Sequence, residues 1–171
     1  MSLRDSLEIA LLLAVGTVLR LVVPGYGAGM KPDFALTMLF IIILMKPHMR
    51  TTILAGILAG ILAALTTTFP AGQVPNLVDK LLTSLVVLAM AKGLLGRVPI
   101  GVACGVVGAV GTVFSGTVFL TTALLLTGLP APFGVLFGGV VLPAAVINTV
   151  TILVLYPIVN YSKKALRSAK A

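Results

Sequence analysis

The stretch PDFALTMLFIIILMKP, residues 32–47, is a run of mostly apolar side chains closed at both ends by proline. Its residues 34–45 would reach only about 18 Å as a helix, against roughly 30 Å of bilayer hydrocarbon. Whether the run crosses the membrane or turns back decides the orientation of every later segment. The neighbouring charges set the expectation. Lys46 and Arg50 follow the run, and they share a side with the other basic clusters only if it spans. A span is therefore expected, with local thinning of the bilayer to fit it.

Five further apolar segments are marked out by their punctuation. Residues 6–23 end at PGYGAG, whose proline and glycines cannot continue a helix. Residues 51–68 end at FPAGQVP, residues 76–91 at KGLLGR and residues 100–126 at TGLPAP. Residues 133–161, with a kink expected at Pro143, lead into a basic tail. None of the runs alternates as a membrane β-barrel strand must. The chain is 59% hydrophobic and 9% charged with a mean hydropathy of +1.20, too little polar surface to cover a water-soluble fold. Its 171 residues accommodate about six spans of roughly 20 residues each and no sizeable soluble domain. The expected fold is an all-α membrane protein: a six-transmembrane-helix bundle forming a single integral-membrane domain over residues 1–171.

With six spans, Arg4, Lys46 and Arg50, Lys92 and Arg97, and Lys163, Lys164, Arg167 and Lys170 all fall on one side. The positive-inside rule makes that side cytoplasmic and both termini with it. The net charge of +8 thus reads as orientation, not as a nucleic-acid surface, because the basic residues flank apolar runs and form no patch interleaved with aromatics. Arg4 ahead of the first run gives it a signal-peptide look, but its length and the charge pattern imply that it stays. The lone Cys104 lies in an apolar run and is expected to pack as a small residue; it admits no intrachain disulfide.

Polar residues on the opposite side then need a reason. In FPAGQVPNLVDK, residues 69–80, Asn76 follows Pro75 and Asp79 comes three residues later, as in a helix N-cap with an acidic third position. Asn76, Asp79 and Lys80 also share one helical sector, so capping alone and capping combined with ligand binding both fit, and capping explains neither Gln73 nor Lys80. Arg20, near the outer end of the first helix, presents a planar fork suited to a carboxylate. Lys31 is expected to snorkel to the headgroups, while the segment PGYGAGMKPD, residues 24–33, has the make-up of a lid. Asn148, beside Thr149 and Thr151 among valines and isoleucines, must find a partner, either another helix or a substrate. Thr112, Ser115 and Thr117 are expected to bond their own helix backbone first. Small-residue spacing at Ala10 and Ala14, and at Ala55, Ala59, Ala63, Gly56, Gly60 and Ala64, lets helices approach closely. There is no G-x-x-x-x-G-K-[ST], H-E-x-x-H or G-x-S-x-G motif, and His48 stands alone in KPHMR, so neither an enzyme nor a cofactor is expected.

The ALLLA stretch at residues 10–14, the six-helix layout and an outward-facing polar site resemble a substrate-binding S component of an energy-coupling-factor transporter. KPDFALTMLFIIIL, residues 31–44, and FPAGQVPNLVDKL, residues 69–81, resemble more narrowly the tryptophan-transporter branch of these bacterial proteins. The resemblance implies a place in the bacterial cytoplasmic membrane, Ala10 and Ala14 packed on a transmembrane coupling subunit, two partner ATPases, and L-tryptophan as cargo. A zwitterionic amino acid needs buried charges of both signs. Asp79 with Lys80 or Arg20 would supply them, Asn76, Gln73 and Asn148 would add polar contacts, and Tyr26, Phe34, Phe69 and Phe133 would wall the indole. Asp79→Asn is expected to weaken binding sharply. Three rivals are an S component for an aromatic vitamin or precursor, a stand-alone secondary transporter, and a purely structural membrane subunit. The second predicts inverted repeats, which the sequence does not display. The third leaves the buried polar residues unexplained.

Overall fold

The computed structural model describes residues 3–23 and 33–168, without the side chains of Arg4 and residues 164–168. The described residues are helical apart from short connections. The helices are α1 (Leu3–Val22), α2 (Phe34–Met45), α3 (Met49–Leu65), α4 (Gln73–Leu94), α5 (Ile100–Leu126), the short α6 (Phe133–Leu136) and α7 (Leu142–Ser168). A π-helical turn, Phe137–Val141, joins α6 to α7 so that they form one rod, giving six rods among the described residues. α2 and α5 have the bounds expected from sequence. α4 starts earlier than residue 76 because Pro75 sits in its first turn, where the missing N–H has no intrahelical partner to lose.

α2 explains its own shortness. Ala35 through Leu44 are all buried, and α1, α3, α4, α5 and α7 pack around them. A helix apolar on every side belongs in an interior. Protein, not lipid, meets most of this helix, so its length makes little demand on bilayer thickness.

Glycine brings the neighbouring helices close. A Cβ on Gly16 would stand 2.8 Å from Phe34 O, one on Gly56 2.5 Å from Ser84 Oγ, and one on Gly108 2.8 Å from Thr149 Cα. These positions lock α1 to α2, α3 to α4 and α5 to α7. Ala55, Ala59 and Ala63 are fully buried, so the small-residue stripe of α3 serves packing inside the bundle. Ala10 and Ala14, by contrast, are exposed on α1.

The surface is apolar where a soluble protein would be polar. Leu7, Leu11 and Val18 on α1, Ile53, Ile57 and Ile61 on α3, and Val146, Val150 and Val154 on α7 face outward, while Asp79 and Lys80 are buried. Residues 100–126 and 133–163 are each long and apolar enough to cross a membrane, and α2 and α3 are shorter apolar helices. A membrane is the solvent this surface requires.

Ion pairs identify the two ends of the bundle. At one, Lys46 binds Asp5 and lies 2.6 Å from Glu8, which also meets Lys163 at 3.0 Å. The start of α1 and the late part of α7 are therefore neighbours. Burial disfavours the charge of Lys46, but Asp5 and Glu8 outweigh it and hold the ammonium above its usual range. At the other end lie Arg20 and Asp33.

The expected disturbance at Pro143 takes the form of the π turn. Pro143 has no N–H to give, and its ring crowds the carbonyl four residues back, that of Gly139. The backbone widens just before it, with the Leu142 N–H donating to Phe137 O, five residues earlier.

Candidate functional site

The site is built outward from the first two turns of α4. The connection ahead of it is tight: Ala71 adopts φ 52, and the Gly72 N–H donates to Phe69 O at 3.0 Å. A Cβ on Gly72 would lie 2.6 Å from Thr67 Oγ1 and 3.1 Å from Phe69 O, so the turn is tightly packed at this glycine. This fold-back holds the Phe69 ring in the bundle, edge-on to Phe119 with centroids 5.2 Å apart at 83°.

Asn76 is not the N-cap of α4. The cap position is Gly72, and Asn76, already inside the helix, donates its side-chain amide to Gly72 O at 2.7 Å. Asp79 likewise lies beyond the first turn, so the capping account of both residues is set aside. Asp79 instead accepts from Lys80 Nζ at 2.5 Å, Thr83 Oγ1 at 2.8 Å and Ser115 Oγ at 2.9 Å. Ser115 thus reaches across to α4 where a bond to its own helix was expected, while Thr117 does bond back, to Val113 O.

Lys80 carries the chain of charges onward. Its Nζ lies 2.7 Å from Asp33 Oδ2, and Asp33 Oδ1 lies 3.2 Å from Arg20 Nη1. Asp33 also caps α2, accepting from the Leu36 N–H at 3.2 Å. Burial disfavours its ionisation, but Lys80 and Arg20 outweigh that and hold the carboxyl well below the usual carboxylate range. The result is an alternating row from three helices, Arg20, Asp33, Lys80 and Asp79, with two charges of each sign.

Two members of the wall remain incompletely satisfied. Among the described residues Arg20 Nε and Nη1 are buried without a hydrogen-bond partner, since the 3.2 Å approach of Nη1 to Asp33 lacks hydrogen-bond geometry. Asn148, 0% exposed, donates through Nδ2 to Thr112 Oγ1 at 3.2 Å and leaves Oδ1 unpaired. A cavity of about 110 Å³ joins these groups, bounded by the four charged residues, Asn76 and Asn148 on its polar side and by Phe69, Phe119, Leu120, Val141 and Ala144 on its apolar side.

Of the residues singled out from sequence, Arg20, Phe69, Asn76, Asp79, Lys80 and Asn148 converge here. Gln73 does not; it is exposed at the start of α4. Phe34 and Phe133 stand outside the wall, the latter stacked on Phe137 at 6.1 Å. Tyr26 and Lys31 lie outside the described residues. Sequence reasoning passed over Asp33 and Phe119 as site residues. An aspartate immediately before an apolar helix is a cap signal, and that signal would have found Asp33. Nothing in the pattern of α5 distinguishes Phe119.

A helical bundle clad in leucine, isoleucine and valine, with a charged cavity toward one end, is the build of a membrane transport protein. The match that gives this class a family covers residues 3–167 and is described as "Tryptophan transporter TrpP". The chain belongs to that family. A probable tryptophan transport protein of Clostridium perfringens is 44% identical over 169 residues, covering 94% of this chain and 91% of its own. Proteins of the same description from Bacillus subtilis and Clostridium acetobutylicum are each 42% identical, over 94% and 96% of this chain and 92% and 96% of their own. No solved structure matches the chain.

Proposed function

We propose that the chain is the substrate-binding subunit of an energy-coupling-factor importer and that its cavity captures L-tryptophan from outside the cell. Arg20 carries the reading. Its guanidinium lines the cavity with buried N–H groups that no atom of the described residues accepts. A carboxylate is the group that fits a planar fork of donors. The ammonium of the same amino acid meets the carboxylates of Asp33 and Asp79 close by, and the apolar wall takes the ring. A row with two charges of each sign accepts a zwitterion without leaving either sign in excess.

In this reading the Arg20 end faces outward and both termini face the cytoplasm of a bacterial cell, the whole chain acting as one multi-pass unit. The basic residues Lys46, Arg50, Lys92 and Arg97 at the other end support that orientation. Ala10 and Ala14, exposed on α1, offer a flat strip against which a transmembrane coupling subunit packs. Two partner ATPases supply the energy, for the sequence has no phosphate-binding loop of its own.

The test is calorimetric titration of the purified protein with L-tryptophan and with tryptamine, which lacks the carboxylate. Tryptamine is expected to bind at least about tenfold more weakly, the scale of one lost charge-assisted hydrogen bond. Arg20→Gln should remove most of that difference. Equal binding of the two ligands by the unsubstituted protein would overturn the assignment.

A further inference from the structure

We infer that Asn148 is the residue that reads the indole ring, its amide oxygen accepting the ring N–H. The inference rests on the tryptophan reading above and adds the direction in which the ligand lies.

Depth along the bundle separates two polar levels. Ser115 on α5 bonds Asp79, which leads through Lys80 and Asp33 to Arg20. Thr112, bonded by Asn148, lies three residues away on the same helix, about 4.5 Å farther from the Arg20 end. The α-carboxylate and α-ammonium of an amino acid hang on one carbon and must be bound together. The upper level, where Asp33 lies 3.2 Å from Arg20, holds charges of both signs at that spacing. Asn148 belongs to the lower level and is neutral, so it suits a neutral donor carried by the far side of the ligand. The α5 and α7 wall beside these polar groups is apolar: Gly116, Val140, Val141 and Ala144. That is the surface on which a flat ring lies.

The unpaired atom is informative in its own right. Asn148 is wholly buried, its Nδ2 is used by Thr112, and its Oδ1 has no partner among the described residues. Turning the amide over would let Oδ1 accept from Thr112 and leave Nδ2 unpaired, so one end is unmatched in either orientation. Such an atom costs stability unless a bound molecule satisfies it. An indole has one N–H donor and no acceptor of comparable strength, which selects the orientation with the oxygen free.

The experiment pairs a change in the ligand with a change in the protein. β-(3-Benzothienyl)-L-alanine keeps the shape of tryptophan and replaces the ring N–H with sulfur. Titrated against the unsubstituted protein, it is expected to bind at least about tenfold more weakly than tryptophan. In Asn148→Leu the preference should collapse toward unity because only tryptophan loses affinity. Equal loss for both ligands in Asn148→Leu would assign Asn148 to packing and overturn the inference. Should that variant fail to fold, the unsubstituted protein still decides: no preference between the ligands overturns the inference while leaving the tryptophan reading intact. Failure to bind tryptophan at all overturns both.

Discussion

At the scale of single residues, the site depends most on a side chain of whose two roles the sequence signals only one, the cap. Asp33 is at once the cap of α2 and the shared anion of Arg20 and Lys80, so one carboxylate ties three helices together. Asp33→Asn is expected to cost about 2–3 kcal/mol, the scale of a hydrogen bond to a charged group. The pH dependence follows from the depressed acidity of the folded state. A carboxyl lowered on folding stabilises the protein above its unfolded pKa, near 4, and loses that contribution as pH falls toward its folded value. Thermal unfolding in detergent should therefore show a constant gap between the unsubstituted protein and Asp33→Asn from pH 8 to pH 5, narrowing below about pH 4. A gap that closes already at pH 6 would place the stabilising charge elsewhere. Asp79, for its part, has all three of its contacts inside the protein. The loss of binding expected for Asp79→Asn then combines a weakened partner for the ligand ammonium with a displaced Lys80, and it should be accompanied by a loss of stability.

At the scale of the elements, close helix contact is set by individual glycines, and two positions one turn apart on α5 make a controlled comparison. At Gly108 a Cβ would press on the Thr149 backbone at 2.8 Å, whereas at Gly105 nothing lies within 4 Å. Gly108→Ala should destabilise by about 1–3 kcal/mol through overpacking, and Gly105→Ala should be neutral or stabilising by up to about 1 kcal/mol. Melting temperatures of the two variants check this, and equal effects would refute the crossing geometry. The elements also show what sequence could reveal. α2 and α5 end at strong punctuation, prolines and a TG pair, and their bounds were legible. The start of α4 was not, because Pro75 serves equally well before a helix or in its first turn. Asn76, Asp79 and Lys80 could be grouped from their spacing alone, since helical geometry fixes which side they share. Asp33, Thr112 and Ser115 gain their partners only when α1, α2, α4, α5 and α7 assemble, and no local pattern encodes that assembly. Gln73 stands apart from the cavity for the same reason: its polarity is plain in the sequence, but its outward direction is set by where α4 begins.

At the scale of the whole molecule, the proposed division of labour separates binding from coupling in space. The cavity lies toward the Arg20 end, while Ala10 and Ala14 are exposed along the middle of α1 and do not line it. Ala10→Phe with Ala14→Phe should leave tryptophan binding unchanged, because neither residue lines the cavity, yet prevent co-purification with a coupling subunit and abolish uptake in reconstituted liposomes. Retained uptake in the double variant, or uptake by this chain alone under an ion gradient, would reject the coupled mechanism. The alternating row of Arg20, Asp33, Lys80 and Asp79 bears on the energetics of any movement that carries the loaded cavity through the bilayer. An uncompensated elementary charge crossing 100 mV exchanges about 2.3 kcal/mol with the field. Here the positive and negative members cancel and so do those of a zwitterionic amino acid, so under the proposed mechanism the membrane voltage would neither drive nor resist the passage of the filled site.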